Sequence, residues 1–428
     1  MAAAAPAIVR SLESPSSASP AAGLDWLLAP LAGTEFLDSH WERQPLRLAR
    51  GNADYFASLL PEGELEFVVT AASQTQGAIE VFNAGARYAG GRHGADAAEA
   101  LAAGYSVRID GVQRFSARIA VLARALRQRF SFPVSVNAYL TPPGAQTLSR
   151  HFDTHDVFVL QVSGRKRWRV YDSPLASPLE HVPTLHCERE KRDGVERARR
   201  QRGHDTGAGR GLLEEFVLEQ GDTFYLPRGW FHEAQAEPNA ASWHLTVGIH
   251  PVTYLELLTV ALGQAALRLD GLRCGLRPGF ATHARSDAKT VAFAAELARS
   301  LPGVLDLEAA ERELADAFCR SEGAPPGLGA EGAPASALGV RMETSVRLRP
   351  LGACRVRAAA GGERVAMAFD RIELEMPAAF EPALRRIATG AAVEARTLPG
   401  EISDSERLAL VHKLIEDGLL VTAGPHAR

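Results

Sequence analysis

Thiol chemistry is nearly missing from this sequence. Its four cysteines, Cys187, Cys274, Cys319 and Cys354, stand far apart and form no CxxC pair. That excludes a disulfide framework and a zinc knuckle, and it fits a reducing cytoplasm. No apolar run approaches membrane-spanning length, so no membrane partner is expected. The opening MAAAAPAIVRSLESPSSASPAAG lacks the basic start and unbroken apolar core of a signal peptide. Residues 1–23 are therefore expected to be a disordered leader. A charge excess is missing too: 47 Lys and Arg against 51 Asp and Glu give a net charge of -4, which argues against a surface built to coat nucleic acid. What is present is an ordinary globular composition over 428 residues, long enough for two or three domains with full cores.

From Leu24 the chain reads as mixed helix and loop, with FLDSHWERQPLRLAR giving a helical turn that runs into a Pro-marked extended piece. Strand signals dominate from Val134 to His250. SVNAYL, DVFVLQV, KRWRVYD, EEFVLEQ, TFYLP and HLTVGI are short, rich in β-branched and aromatic residues and mostly bounded by Gly or Pro, the pattern of an antiparallel sandwich or barrel. Residues 186–211 carry eight Lys or Arg against five acids and read as a solvated insertion, with a contact surface for an acidic partner as the other reading. From Tyr254 to about Cys319 apolar residues recur at helical spacing. Residues 321–339 read as a Gly-, Ala- and Pro-rich linker. Beyond it come two strand-like stretches and two helical ones, with Ser403 and Glu406 at capping-box spacing and Gly418 as a helix stop. That order suits a winged-helix-like module. Its thirteen basic against twelve acidic residues do not favour DNA reading.

The chemistry concentrates in HFDTHDVFVLQVSGRKRWRVYD, residues 151–172. Side chains alternate along a strand, so His151 and Asp153 project from one face and can chelate one ion. GDTFYLPRGWFHEA offers a third ligand, His232, after a Pro227-Arg228-Gly229 turn. Two histidines and a carboxylate form a facial triad that leaves one side of an Fe(II) ion open, and a donor set without thiolate suits iron better than structural zinc. An HxD alone is more often a solvated strand end. The joint spacing, with His232 eighty-one residues after His151 in a barrel-patterned chain, is what raises it. The nearby His155, His244 and His250 are read as strand-face histidines. After Gly164 the next strand sets Lys166 on one face with Trp168 and Val170, and Arg165, Arg167 and Arg169 on the other. A cation on the inner, apolar face needs an anion, and the distal carboxylate of 2-oxoglutarate is one. The alternative is Lys166 snorkelling outward, which a bulge after Gly164 would bring about.

These stretches resemble a known family, the JmjC-type cupin protein hydroxylases called ribosomal oxygenases. HFDTHDVFVLQVSGRKRWRVYD and GDTFYLPRGWFHEA are similar to its two metal-binding motifs, and FLDSHWERQPLRLAR to its N-terminal signature. The resemblance implies an α+β chain: a JmjC cupin double-stranded β-helix over 24–253, a helical dimerisation region over 254–320, the linker, and a winged-helix-like domain over 340–428. It also implies iron on His151, Asp153 and His232, 2-oxoglutarate on Lys166, and a homodimer that hydroxylates a ribosomal protein. One branch of the family acts on histidine and another on arginine. Asn137 and Tyr139 look like positions that hold the imidazole in the histidine branch, and neutral amide and phenol groups suit a neutral ring. The approach TPPGAQTLSR has no carboxylate for a guanidinium. Where the histidine branch commonly has Ser near the end of the HLTVGI strand, this chain has Gly248. Demethylation of a methylated lysine is the rival reaction, for which Tyr139 alone would have to serve. A non-catalytic cupin or winged-helix binding module is the rival of another class.

Overall fold

A computed structural model of the chain describes residues 7–10, 19–61, 63–83, 86–87, 97–172, 177–179, 211–280, 287–321, 339–358 and 361–423. All of the 186–211 insertion except Gly211, and all of the 321–339 linker except its end residues, lie outside them. The chain divides into two compact units, one running to Pro251 and the other beginning at Val252.

The first unit opens with β1 (Ala7–Arg10), α1 (Leu24–Leu28), α2 (Gly33–Ser39), β2 (Leu46–Ala49) and α3 (Glu64–Ser73). Then come β3 (Ile79–Asn83), β4 (Ala86–Arg87), α4 (Ala97–Ala102), β5 (Ser106–Ile109) and α5 (Ala117–Phe130). The barrel strands follow as β6 (Val134–Thr141), β7 (Asp156–Ser163), β8 (Lys166–Tyr171), β9 (Leu212–Leu218), β10 (Thr223–Leu226), β11 (His232–Ala236) and β12 (Ser242–Ile249). Nine strands form one sheet in the order β1-β2-β10-β7-β12-β6-β5-β3-β4, and three form a second in the order β11-β8-β9.

Two features differ from the sequence reading. Residues 7–10, inside the stretch expected to be a disordered leader, pair in parallel with β2; AIVR is apolar and β-branched enough to take an open sheet edge. The region before Val134, read as helix and loop, contributes β2 to β5 to the large sheet. These strands run only two to five residues and sit between helices, too short for a period of two to stand out.

The large sheet is covered on both faces. Phe36, Ile119 and Leu122 of the helices pack with Val136, Ala138, Phe158 and Leu160 on one side. On the other, Val157 and Val159 meet Trp168, Val170, Phe216 and Phe224 beneath the small sheet. β7 is thus buried on both faces, which is why DVFVLQV is a continuous apolar run instead of an alternating one. Each large apolar side chain so enclosed stabilises the unit by about 1.5–3 kcal/mol.

The second unit contains α6 (Tyr254–Ala265), α7 (Ala288–Ser300) and α8 (Leu307–Arg320). After them come β13 (Ser345–Leu348), β14 (Arg355–Ala358), β15 (Arg364–Phe369), β16 (Ile372–Pro377), α9 (Glu381–Ala388), β17 (Val393–Glu394), α10 (Asp404–Glu416) and β18 (Leu420–Thr422). Two three-stranded sheets, β17-β13-β18 and β14-β15-β16, close with α9 and α10 on a core of Met367, Phe369, Leu384, Ile387, Val411 and Leu414. The Ser403 and Glu406 capping box is formed. Among the described residues, no helix is long and apolar enough to cross a membrane.

The turn between β7 and β8 sets which way Lys166 faces. Gly164 has φ +66°, and a Cβ there would lie 1.9 Å from the Ala241 carbonyl oxygen. With the turn intact, Lys166, Trp168 and Val170 are buried, while Arg167 and Arg169 point outward onto Glu215. Gly164→Ala is expected to destabilise the first unit by about 1–3 kcal/mol in urea denaturation, because both the left-handed backbone and the close approach are lost together.

Candidate metal centre and anion pocket

His151 and His232 are fixed to each other before their side chains are considered. The His151 amide donates to the His232 carbonyl at 3.0 Å and the His232 amide to the His151 carbonyl at 2.7 Å, an isolated antiparallel bridge at the start of β11. The Gly229 amide, in the turn before β11, donates to the Asp153 carbonyl at 2.8 Å. This backbone stitching gathers one ligand atom from each of His151, Asp153 and His232 within 4.8 Å of one another. The His151 Nε2 lies 4.0 Å and the His232 Nε2 3.6 Å from the Asp153 carboxylate oxygens.

The donor set fits a divalent metal in detail. His151 Nδ1 is 2.8 Å from the Ser149 carbonyl oxygen and His232 Nδ1 is 3.0 Å from that of Trp230. A carbonyl only accepts, so each Nδ1 carries the hydrogen and each Nε2 turns its lone pair toward the shared centre. Burial, with His151 beside it, pushes the His232 imidazole down to about 4, which keeps it neutral and able to ligate. Burial by itself would raise the Asp153 carboxyl, but His151, His155, His232 and Arg108 together hold it below its ordinary value.

A pocket leads inward from this triad to Lys166, which is only 2% exposed. Its Nζ donates to Thr141 Oγ1 at 3.1 Å, and that hydroxyl is 2.9 Å from Thr147 Oγ1. Among the described residues no carboxylate lies within ion-pair distance of Lys166, and burial pushes its ammonium down to about 7. His244 stacks on Tyr139 with ring centroids 4.9 Å apart and meets Trp168 edge to face at 5.8 Å. Burial, then Lys166, lowers its imidazole well below the usual value. His244 Nδ1 and Trp168 Nε1 are buried with no hydrogen-bond partner. Orphaned polar atoms around an uncompensated ammonium describe a cradle for a small anion.

Of the other residues singled out by sequence, Tyr139 lines the pocket, and Asn137 lies one pleat along β6 with its Oδ1 accepting from the Gly111 amide at 3.1 Å. Three residues escaped sequence reasoning. His244, taken for a strand-face histidine, faces the pocket; its signal was the alternation of HLTVGI, which sets it on the same face as Gly248. Arg108, in an unrecognised strand, reaches the Tyr139 phenol while held by Glu80 at 2.7 Å and Asp110 at 2.8 Å. Burial still pushes that phenol up to about 12. Glu42, from FLDSHWERQPLRLAR, grips the turn that carries His232: Arg228 Nη2 is 2.6 Å from its carboxylate, and its amide donates to Tyr225 Oη at 2.9 Å. Tyr225 in turn donates to the buried Asp156 at 2.6 Å, and burial pushes that carboxyl up to about 7.

Comparison with known proteins agrees with this geometry. A family model for the JmjC domain matches residues 112–257. Ribosomal oxygenase 1 of Gallus gallus is 30% identical over 318 residues, 68% of this chain and 50% of that protein. The bifunctional lysine-specific demethylase and histidyl-hydroxylase NO66 of Drosophila mojavensis is 29% identical over 275 residues, 61% of this chain and 28% of that protein. The chain thus spans half or less of the length of these curated relatives. The Escherichia coli ribosomal oxygenase YcfD, solved in complex with cobalt and 2-oxoglutarate, shares the fold with a TM-score of 0.51 at 19% identity, covering 92% of this chain and 99% of YcfD. The chain carries a JmjC domain and is similar, over about two thirds of its length, to a ribosomal oxygenase.

Proposed function

We propose that this protein is an Fe(II)- and 2-oxoglutarate-dependent hydroxylase of a ribosomal protein, acting on a histidine side chain. The observation that carries the reading is the joining of a His-Asp-His triad to a buried, uncompensated lysine within one pocket. His151, Asp153 and His232 would hold the iron, and Lys166 with Thr141 would hold the distal carboxylate of 2-oxoglutarate. When bound, iron and 2-oxoglutarate supply the oxidant that inserts one oxygen atom of O2 into a C–H bond. The chain's own part is to bind, to orient and to exclude water: Trp168, Val157, Val159 and Leu226 wall the space between triad and lysine.

Histidine is favoured over arginine by what the wall offers. Asn137 commits its carbonyl oxygen to Gly111, which leaves its amide hydrogens, and the Tyr139 phenol stays protonated. Donors suit a ring nitrogen, whereas a guanidinium has only donors of its own. Glu80 and Asp110, the carboxylates that a cation would seek, are held by Arg108. The same pairing weighs against a methylated lysine, and the triad with Lys166 against a non-catalytic module. The scattered cysteines support a cytoplasmic location for this activity. The test offers matched histidine- and arginine-containing ribosomal-protein peptides and measures added oxygen by tandem mass spectrometry. Product on histidine, abolished by Asp153→Ala, is expected; product confined to arginine refutes the branch, and wild-type turnover by Asp153→Ala refutes the triad.

Lys166 makes cosubstrate binding depend on pH. In the free folded protein its ammonium titrates near 7, below its ordinary value of 10.5, so between these limits the folded state binds fewer protons than the unfolded one and this residue's cost to stability grows as pH falls. A carboxylate beside it restores the charge. Calorimetry of 2-oxoglutarate binding at pH 8, in buffers of different ionisation enthalpy, should show proton uptake, and affinity should fall as pH rises above about 7. Lys166→Ala should remove the uptake and weaken binding by about 2–5 kcal/mol.

We also propose a homodimer through the helical region. Tyr254, Leu258 and Leu262 recur every four residues on α6 and are 85%, 48% and 40% exposed, an apolar stripe of the kind that a second copy covers. Light scattering should give a dimer mass, and Leu258→Arg should reduce it to that of a monomer.

A further inference from the structure

The β6 and β12 strands form a ladder whose rungs run from the triad end of the pocket to Lys166. Ser135 pairs with Gly248, Asn137 with Thr246, and Tyr139 with His244. Exposure falls along it: Ser135 is half-buried, whereas His244 and Lys166 are 3% and 2% exposed. The Ser135–Gly248 rung stands at the end where β7 begins, three residues after Asp153.

At that rung the strand lacks a side chain, and a histidine from elsewhere stands in its place. A Cβ on Gly248 would lie 2.7 Å from His155 Cδ2, 2.9 Å from His155 Nε2 and 3.0 Å from Ser135 Oγ. Real Cβ atoms do not approach so closely, so the ring is seated against β12 only because residue 248 is glycine. On its other side His155 stacks on His250 with ring centroids 4.5 Å apart and planes at 21°. His250 is anchored in turn, its Nε2 2.9 Å from Ser135 Oγ. The half-buried imidazole of His155 is thereby held in one orientation beside the triad instead of swinging in solvent.

We infer that His155, seated in the notch that Gly248 leaves in β12, is the specificity-determining residue that receives the target side chain beside the triad. Its imidazole offers a hydrogen bond to a neutral planar group, which deepens the histidine reading given above and rests on it. Gly248 and His155 act as a pair: the missing side chain on the strand and the ring that fills the gap form one recognition element.

The test uses the full chain with Fe(II) and 2-oxoglutarate, and the histidine-containing ribosomal-protein peptide that the wild type oxidises best. His155→Ala should raise the peptide KM roughly tenfold, the loss of about one well-placed hydrogen bond, with kcat changed much less. His155→Asn, which keeps a donor and an acceptor, should recover part of the loss. Gly248→Ser should reproduce the KM defect by expelling the ring, and Gly248→Ser with His155→Ala should be no worse than His155→Ala alone, since both remove one element. An unmoved peptide KM in His155→Ala overturns the assignment. So does an equal rise in the KM for 2-oxoglutarate, or an equal loss in His155→Asn, either of which marks a packing role. If the wild type oxidises no ribosomal-protein peptide, the hydroxylase reading itself falls, and this inference with it; product from the wild type with an unmoved His155→Ala KM removes the inference alone.

Discussion

His151 and His232 exchange amide-to-carbonyl hydrogen bonds in both directions across eighty-one residues of sequence, and the rest of the site is arranged around that exchange. A side-chain contact alone would leave two flexible imidazoles to find each other. The backbone bridge instead brings two Cα atoms to the spacing of paired strands, so the rings converge with centroids 4.3 Å apart. Each Nδ1 is then tied to a carbonyl two residues back along its own chain, which fixes ring rotation and tautomer together. Preorganisation of this kind is inexpensive because it uses groups that the barrel must pair anyway.

The pocket combines two opposite electrostatic solutions. At the triad, imidazoles and Arg108 hold a carboxylate ionised despite burial. A few residues deeper, an ammonium is buried with hydroxyl, imidazole and indole neighbours and, among the described residues, no carboxylate within ion-pair distance. The first arrangement suits a cation shared among ligands, and the second suits a diffusing anion that must come and go. An internal carboxylate on Lys166 would stabilise the empty protein but compete with that anion.

How much of this was legible depended on whether the signal was local. The HxD pair, the Gly-Pro-Gly-spaced His232 and the alternation that turns Lys166 inward are features within a few residues; the structure brings the first three side chains together and buries the fourth. The missed parts are those defined by pairing. HEAQA carries no strand propensity, and it is a strand only because it pairs with β8, from Lys166 to Val170. Arg108 and His244 gain their meaning from Tyr139 across the ladder, and His155 from a hydrogen atom where Gly248 has no side chain. No window on the sequence contains both members of such pairs.

Glu42 belongs to a stretch far from the barrel strands, yet its carboxylate and amide brace the turn that sets His232 and, through Gly229, Asp153. Local opening of the N-terminal helices would therefore release the metal-binding turn, and by linkage the ligated state must suppress that opening. The amino-terminal helices would then report occupancy: their exchange with solvent would slow when the centre is filled and quicken when the metal is removed.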